Sequence, residues 1–440
     1  MELMNVEDFI KWLRKFNIEE LEGVKIEGDI TIEIEGINLL DIIQALAYEL
    51  GMAAYHLARA SKILGFPIEQ LFAPEKYPTE QLFAPTEKVV EEKVKEEKIE
   101  LIRSKFEPSK VKYSGKINEV QLGATKSEGG TREYSITIGG QKNLPFYIFD
   151  SEQPHLPVIA IDVFDRPVQF PKAVREYYED VMEDPAEWAK LAVKEYGADM
   201  VTVHLISTDP SLDDTPISEA VKVVEDILQA VKCPIAVGGS GNKEKDPLLL
   251  EKVAEVAEGE RVLLASATLD NDWERIGNAA KKYNQVVLAW TQLDINAQRT
   301  LNRYLLRKVG LQPNSLVMDP TTAPLGYGLD YAFSNIEKIR ISALKGDKDL
   351  AFPISSGTTN AWGAREAWMK ESPISEDTSW GPREHRGPLW EIMTGLCLAL
   401  AGVDIFMMLH PVSVSVIKEV ISMLGGKDKR KIEKDWLSIN

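Results

Sequence analysis

The amino-acid sequence predicts a (β/α)8 barrel, preceded by a β-ribbon and a small separate N-terminal α+β module. Short apolar strands alternate with helical patterns from residue 156 onward, which is the rhythm of repeated βα units. Eight such strands can be counted, the number that closes this barrel. Polar and small residues follow most of them, as at the carboxyl end of a barrel. An open, doubly wound sheet is the alternative, because strand number alone does not prove closure.

The first 110 residues precede the barrel. In residues 1–65, helically spaced apolar residues lead to a strand pattern with a turn at Gly28-Asp29, and then to a second helix. Residues 66–110 form a linker that ends in a charged helix, and in it Glu-Gln-Leu-Phe-Ala-Pro begins at Glu69 and again at Glu80. Two such repeats predict docking peptides that tether the chain to a larger complex. A tandem duplication without function is the alternative.

The barrel with its ribbon is predicted over residues 111–425, and residues 426–440 form a charged tail. Glycine-bracketed runs over residues 111–150 predict a β-ribbon that packs on the bottom of the barrel. Thr215-Pro216 is a helix start, followed by apolar residues that share one helical face. The predicted strands are residues 157–162, 200–204, 234–237, 262–265, 286–290, 315–319, 351–354 and 403–408.

The composition excludes several classes of function. The 440 residues include 69 acidic and 51 basic side chains, and a net charge of −18 repels the phosphate backbone of nucleic acids. The two cysteines, Cys233 and Cys397, are too few for an iron–sulfur cluster or a zinc site that takes four cysteine ligands. The N-terminus has no apolar signal core, and we find no run of about 18 uncharged apolar residues. We therefore expect a cytoplasmic protein that binds neither nucleic acid nor a membrane.

The strand ends predict a ligand site without a complete catalytic group. No serine stands in a Gly-x-Ser-x-Gly turn, and neither Gly239-Ser-Gly241 nor Gly326-Tyr-Gly328 completes a dinucleotide-binding loop. No pair of the five histidines has metal-ligand spacing. His204 and His410 both end predicted strands, so they can face the barrel mouth, although a structural role is the stronger interpretation. We assign no catalytic residue and no metal ligand.

Residues 357–400, between the last two strands, carry an unusual composition. Four of the nine tryptophans lie there, together with three arginines and His385. Pro373, Pro382 and Pro388 exclude a single helix, so we expect a long ordered loop over the barrel mouth. Indole rings and guanidinium groups suit a wide, flat ligand with a polar edge, or a protein partner. An insertion that fills its own small core is the alternative.

Five motifs in this chain resemble one known family, the small (delta) subunit of the corrinoid iron–sulfur protein of the acetyl-CoA decarbonylase/synthase (CO dehydrogenase/acetyl-CoA synthase) system. The resemblance covers about residues 111–425 and leaves out the first 110 residues. The motifs are Ala-Ile-Asp-Val-Phe-Asp (160–165), Met-Asp-Pro-Thr-Thr (318–322), Gly-Ala-Arg-Glu-Ala-Trp (363–368), Trp-Gly (380–381) and Arg-Gly-Pro-Leu-Trp-Glu (386–391).

The resemblance implies a barrel that forms a heterodimer with a large (gamma) subunit, which carries a 4Fe–4S cluster and a corrinoid domain. The corrinoid (a cobamide of the B12 type) then lies at the subunit interface and exchanges its methyl group with two further partners. These are a methyltransferase that uses methyl-tetrahydropterin or methyl-tetrahydrofolate, and the acetyl-CoA synthase of the Wood–Ljungdahl pathway or its methanogenic reversal. The chain has only two cysteines, which agrees with an iron–sulfur cluster on the partner. It also lacks an Asp-x-His-x-x-Gly run, the usual motif for the lower ligand of a corrinoid, which agrees with that ligand lying on the partner.

The residues that we expect to touch the corrinoid come from loop placement. The loop from Ser355 to Asn360, with Trp362 and Trp380, would contact the ring. Arg365 and Arg386 would bind propionamide oxygens or acidic residues of the large subunit. The full set of candidates is Asp319, Thr321, Thr322, Ser355, Ser356, Gly357, Thr358, Thr359, Asn360, Trp362, Arg365, Trp380 and Arg386.

Two other functions remain open. A pterin-binding barrel could transfer the methyl group itself, with Asp294, Asp319 and Asn360 on the N–H edge of the ring. Against this, the first strand ends in Asp-Val-Phe-Asp at residues 162–165. The pterin enzymes that this alternative resembles have an Asn-x-Thr turn at that place instead. A pure scaffold would follow if the 357–400 insertion blocked the mouth.

Overall fold

The computed structural model describes residues 24–27, 31–34, 108–149, 153–374 and 379–426. The chain divides into two compact units, Met1–Leu101 and Ile102–Asn440. In the first unit, β1 (Val24–Glu27) pairs antiparallel with β2 (Thr31–Ile34). The two strands flank the turn that the sequence predicts at Gly28-Asp29. The predicted N-terminal helices, the repeated motif and the charged tail lie outside the described residues.

Eight parallel strands form the barrel, in the order in which they occur along the chain. The circle closes at a parallel bridge between Met318 and Ile354, where the Met318 N–H donates to the Pro353 carbonyl at 2.8 Å. The predicted (β/α)8 barrel is therefore confirmed, and the open sheet is excluded. The strands are β5 (Val158–Phe164), β6 (Met200–His204), β7 (Ile235–Gly238), β8 (Leu263–Ala267), β9 (Val286–Trp290), β10 (Leu316–Asp319), β11 (Ser355–Gly357) and β12 (Ile405–Met408).

Helices follow the strands and cover the outside of the barrel. The helix predicted after Thr215-Pro216 is present as α3 (Ile217–Ala230), and its apolar residues Ala220, Val221 and Val224 are buried. The helices are α1 (Lys172–Arg175), α2 (Pro185–Lys194), α3 (Ile217–Ala230), α4 (Lys245–Val256), α5 (Trp273–Lys282), α6 (Ile295–Arg303, continued by a π-helix over Tyr304–Val309), α7 (Leu329–Leu344), α8 (Arg365–Trp368), α9 (Arg383–Ala401) and α10 (Pro411–Leu424).

The seventh strand differs from its prediction. The sequence places it at residues 351–354, whereas β11 begins at Ser355. Pro353 has no N–H to give to a ladder. The N–H of Ile354 donates to the Asp404 carboxylate at 2.9 Å, so it is not available for pairing with a neighbouring strand. Regular pairing with β12 therefore starts one residue later.

The insertion between β11 and β12 holds more helix than its prolines suggested. A 3-10 helix (Thr358–Gly363), α8 and α9 follow one another, so the exclusion of a single helix is confirmed. Pro388, however, lies inside α9. The carbonyl that loses its partner there belongs to Glu384, which is exposed in the first turn, where water can bind it.

A β-ribbon closes the bottom of the barrel, as predicted. Its strands β3 (Val120–Leu122) and β4 (Ile136–Ile138) pair antiparallel. Their four apolar side chains are buried in one cluster with the inward-facing residues of the barrel strands, among them Ala160 and Met200. The lumen is thus apolar and sealed at its amino end.

A buried ion pair joins the ribbon, helix α7 and the last two strands. Arg340 Nη2 lies 2.6 Å from Asp404 Oδ2, and both side chains are at most 3% exposed. The other carboxylate oxygen accepts a hydrogen bond from Gln141 Nε2 at 2.8 Å. Asp404 therefore holds three parts of the chain at the point where the barrel closes.

We predict that Asp404→Ala lowers the free energy of unfolding by about 3–5 kcal/mol, because Arg340 is left buried without a counter-charge. Urea denaturation followed by circular dichroism measures this loss. Adding Arg340→Met should recover part of the loss, since the uncompensated charge is removed. Asp270→Ala breaks the exposed pair with Lys243 and serves as the control with little effect. A loss for Asp404→Ala as small as the control's would contradict the role assigned to the pair.

Candidate functional site at the carboxyl end of the barrel

The inward-facing positions at the carboxyl end are small or polar. Side chains alternate along a strand, so the residues two positions beyond the buried lumen residues also face inward. Gly238 and Ala265 are the small residues at these positions, and Asp162 and Asp319 are the carboxylates. Trp290 at the end of β9 is half-buried. A depression of about 250 Å³ lies beside the barrel mouth, at the loops after β8 and β9, and is lined by Trp290, Thr291 and Asp294.

Asp162 and His204 meet in this mouth. His204 Nε2 lies 3.1 Å from Asp162 Oδ1, and the Asp162 side chain is only 3% exposed. The hydroxyl of Thr359 donates to the other carboxylate oxygen. The imidazole ring stacks on Phe164, with 4.8 Å between the ring centres. Neighbouring strands β5 and β6 thus hold an aspartate–histidine pair, and the 3-10 helix of the insertion covers it.

A chain of hydroxyl groups holds the loop after β11. Ser356 Oγ lies 2.8 Å from Thr322 Oγ1 and 2.9 Å from Thr358 Oγ1. Asn360 Nδ2 donates to the Thr322 carbonyl at 3.0 Å, although the residue itself is exposed. The buried Ser355 Oγ has no partner among the described residues. These residues therefore shape the mouth, and Asn360 presents its amide to whatever lies there.

The loops after β9 and β10 are joined to each other. The Thr291 N–H donates to the Asp319 carbonyl, and Thr321 Oγ1 donates to the Thr291 carbonyl at 2.8 Å. Leu293 and Thr321 both have positive φ, at 48° and 72°. For non-glycine residues this backbone is strained, and such residues are often found at ligand sites.

Asp319 is buried between these loops and accepts one hydrogen bond, from the Thr321 N–H at 2.9 Å. Burial raises the pKa of this carboxyl from 3.8 to about 7, against the opposing effect of the Thr321 bond. Asp294, in contrast, is exposed and caps α6 by accepting from the N–H groups of Asn296 and Ala297.

His410 is a structural residue. Its Nδ1 accepts from the Val412 N–H and so caps α10, and its ring stacks on Trp362 with 5.7 Å between centres. Burial lowers the pKa of His410 to about 4. Glu391 lies beside it, receives the N–H groups of Leu409 and His410, and has a pKa raised by burial to about 7. Of the two histidines that end strands, only His204 reaches the mouth.

Trp362 and Arg386 are packed within the insertion. The indole of Trp362 is 7% exposed and lies so close to Gly387 that a Cβ there would stand 2.2 Å from the ring. Arg386 is 4% exposed and donates to carbonyls of the preceding segment, including Met369 at 2.6 Å. Trp380 covers its guanidinium at 5.4 Å. Arg365 is exposed.

The thirteen sequence candidates thus divide into two groups. Some side chains are buried and bonded to this chain, and they position the mouth: Asp319, Thr322, Ser356, Thr358, Trp362 and Arg386, with Ser355 buried beside them. The remaining six are partly or fully exposed: Thr321, Gly357, Thr359, Asn360, Arg365 and Trp380. The sequence analysis placed Asp162 and His204 only at strand ends. Because the two strands follow one another in the chain and are neighbours in a barrel, the sequence could have predicted that these side chains meet.

The described part of the chain carries neither a metal cluster nor a helix of membrane-spanning character. No group of three or more histidine, cysteine, aspartate or glutamate side chains is placed there to bind a metal ion. Within the same residues, no helix is both long and apolar enough to cross a bilayer. Burial raises the pKa of the Cys233 thiol to about 12.

These features define a (β/α)8-barrel protein with a polar mouth under an ordered insertion. The family described as CO dehydrogenase/acetyl-CoA synthase delta subunit matches residues 119–371. An acetyl-CoA decarbonylase/synthase complex subunit delta from Archaeoglobus fulgidus is 64% identical over 439 residues, covering 97% of this chain and 96% of the relative. Subunit delta 1 from Methanosarcina thermophila is 50% identical, covering 96% and 95%. The chain therefore belongs to this family of delta subunits, as its motifs predicted, and the similarity extends into the first 110 residues.

Among solved structures, the chain is similar to dihydropteroate synthases. One from Xanthomonas albilineans with 4-aminobenzoic acid has a TM-score of 0.44 and 16% identity, covering 63% of this chain and 94% of that one. The Thermus thermophilus enzyme has a TM-score of 0.40, 14% identity and coverage of 69% and 100%. Similarity this distant says nothing about the ligand of this chain.

We predict that Asp319 makes the protein less stable as the pH rises. A carboxyl whose pKa is raised by folding binds its proton more tightly in the folded state. Its contribution is therefore complete below about pH 4 and is lost as the pH rises through about 7. The unfolding free energy of Asp319→Asn minus that of the wild type should increase between pH 5 and pH 8 in urea titrations. A difference that does not change with pH would contradict the raised pKa.

Proposed function

We propose that this delta subunit covers a corrinoid held by a larger partner subunit, and so assists methyl transfer between a methyl-tetrahydropterin (or methyl-tetrahydrofolate) methyltransferase and acetyl-CoA synthase. The observation that carries the proposal is the mouth itself, where small inward-facing residues (Gly238, Ala265 and Gly357) are surrounded by polar side chains. When bound, the corrinoid supplies the cobalt that carries the methyl group. In this proposal the chain has no complete active site of its own.

The residues of the mouth fit such a group. A corrin ring is broad and carries amide side chains around its edge. Gly238, Ala265 and Gly357 place no bulky side chain in the mouth, and Asn360 and Arg365 are exposed polar groups that would bind the edge of such a ring. The Ser355 hydroxyl has no partner in the part of the chain that the structure describes, and it is a buried polar atom that a ligand or water would satisfy.

The chain's own residues would orient the ring and exclude water. The hydroxyl chain around Ser356 and the carbonyl bonds of Arg386 hold these side chains in place, so they need little further ordering on binding. Trp380 lies over Arg386 and presents an amphipathic ring at the edge of the mouth. A dry cover of this kind protects a reactive metal centre from solvent.

An iron–sulfur cluster would lie on the partner. Cys233 is buried and Cys397 half-buried, and two thiols do not ligate a four-iron cluster. The names of the relatives place them in an acetyl-CoA decarbonylase/synthase complex. We therefore assign this chain to a heterodimer with the gamma subunit, within the reductive acetyl-CoA pathway or its methanogenic reversal.

We predict that Trp380→Ala weakens corrinoid retention in the heterodimer about tenfold, since removing a contact aromatic commonly costs more than 1 kcal/mol. Equilibrium dialysis followed by visible absorbance measures retention. Trp368→Ala is the matched control, because Trp368 belongs to the same insertion and is 41% exposed but is not a proposed contact. Equal retention by both variants would overturn the proposed contact.

Helix α9 supports the assignment of a protein partner. Between residues 389 and 400 the single charged side chain is Glu391, and it is buried. The outward face is apolar: Leu389, Met393 and Leu400 are 50%, 44% and 52% exposed. An uncharged helix face on a strongly acidic protein marks a protein interface. We assign this face to the gamma subunit, because α9 begins at the mouth that the two subunits would share.

We predict that Met393→Glu prevents co-purification with the gamma subunit, because a carboxylate would be desolvated in an apolar contact. Leu248→Glu on α4 is the control, since Leu248 is 43% exposed on another part of the barrel. Size-exclusion chromatography of co-expressed subunits checks the outcome. If Met393→Glu assembles like the control, the face belongs to another partner or to none.

The second candidate is a methyltransferase that binds a pterin directly. Asp319 favours it, because a buried carboxyl with a pKa near 7 in the mouth can exchange a proton with a ring nitrogen. Titrating methyl-tetrahydropterin into the purified chain separates the two functions. Tight, stoichiometric binding that Asp319→Asn removes would favour the enzyme, and absence of binding would favour the corrinoid cover.

A further inference from the structure

The Asp162–His204 pair leaves one histidine nitrogen facing the mouth. Nε2 and Asp162 Oδ1 are buried and 3.1 Å apart, and neither atom makes a hydrogen bond of regular geometry among the described residues. A carboxylate oxygen is only an acceptor, so we place the proton of the neutral ring on the nitrogen beside it. In the neutral ring, Nδ1 is then an acceptor with a free lone pair.

Gly238, the last residue of β7, lies beside Nδ1. A Cβ built on it would stand 3.7 Å from this atom and 3.2 Å from the Ala265 carbonyl oxygen. A side chain here would therefore cover Nδ1, and glycine leaves the atom uncovered. About a quarter of the His204 side chain (26%) is exposed, and no hydrogen bond of Nδ1 is found within the described residues.

The ring is held in place by two neighbours. Phe164 stacks against its face with 19° between the planes. Asp162 lies at Nε2 and is itself held by the Thr359 hydroxyl. A side chain fixed in this way loses little entropy when it binds a ligand, which is a property of built ligand sites.

We propose that His204 is a ligand-binding residue whose Nδ1 accepts a hydrogen bond from an amide N–H of the molecule in the mouth, with Asp162 and Thr359 as positioning residues. The inference rests on the proposed function in one respect. The primary amides on the edge of a corrin are the donors that Nδ1 would meet. It extends the site to β5, β6 and β7, on which none of the sequence candidates lies.

Binding of methylcobalamin to the full chain is the first test. We expect His204→Phe, which keeps the stack on Phe164 and removes both nitrogens, to weaken binding about tenfold, the effect of one buried hydrogen bond. His204→Asn places an amide oxygen near the position of Nδ1 and should retain most of the affinity. His155→Phe is the control, because His155 contacts Glu119 at 3.6 Å on the ribbon.

The protonation state of the ring provides the second test. With only five histidines, ¹⁵N-histidine labelling resolves the tautomer of each ring in the full chain. We expect His204 to carry its proton on Nε2, and Asp162→Asn to reduce this preference. Gly238→Ala should leave the tautomer unchanged and weaken methylcobalamin binding, because its methyl group occupies the space beside Nδ1.

The outcomes separate the two proposals. Binding by the wild type that His204→Phe retains in full, or a proton on Nδ1 in the free chain, overturns the role of His204 alone. If the wild type does not bind methylcobalamin either alone or with the gamma subunit, the proposed function and this choice of ligand fail together.

Discussion

The closure of the barrel depends on one buried carboxylate. Asp404 binds Gln141 and Arg340, which lie far from it in sequence, and it takes the N–H of Ile354 just before β11. The bridge between Met318 and Ile354 closes the sheet, and this carboxylate holds Ile354, the β11-side residue of that bridge, in place. The position of β11 in turn sets the loop from Thr358 to Asn360, which forms one wall of the mouth. Ligand geometry at the top therefore depends on an ion pair at the bottom.

Two kinds of polar group surround the mouth, and their roles differ. Thr322, Ser356 and Arg386 make their hydrogen bonds within this chain and keep the wall rigid. Asn360, Thr359 and His204 keep an atom or a face toward solvent. Such a division suits a protein that must present a fixed surface to a group carried by another molecule, because little of the binding energy is then lost in ordering the wall.

The sequence predicted much of the fold because hydrophobic periodicity follows the strands and helices directly. The helix after Pro216 and the β-ribbon agree with the structure. The start of the seventh strand was wrong, because Pro353 and the side chain of Asp404 decide it, and the second of these acts across 50 residues. The candidate site was predictable as a set of strand ends. The sequence does not show which strand ends lie close together, because this depends on distances in the folded chain. For the same reason it does not show that Arg386 donates to carbonyls of its own segment.

The ribbon under the barrel closes one of its two ends to other molecules. Val120, Leu122, Ile136 and Ile138 plug the amino end with packed side chains, so nothing passes along the barrel axis. In the function that we propose, the methyl donor and the methyl acceptor would therefore both approach from the carboxyl side of the barrel. They would occupy the same opening one after the other.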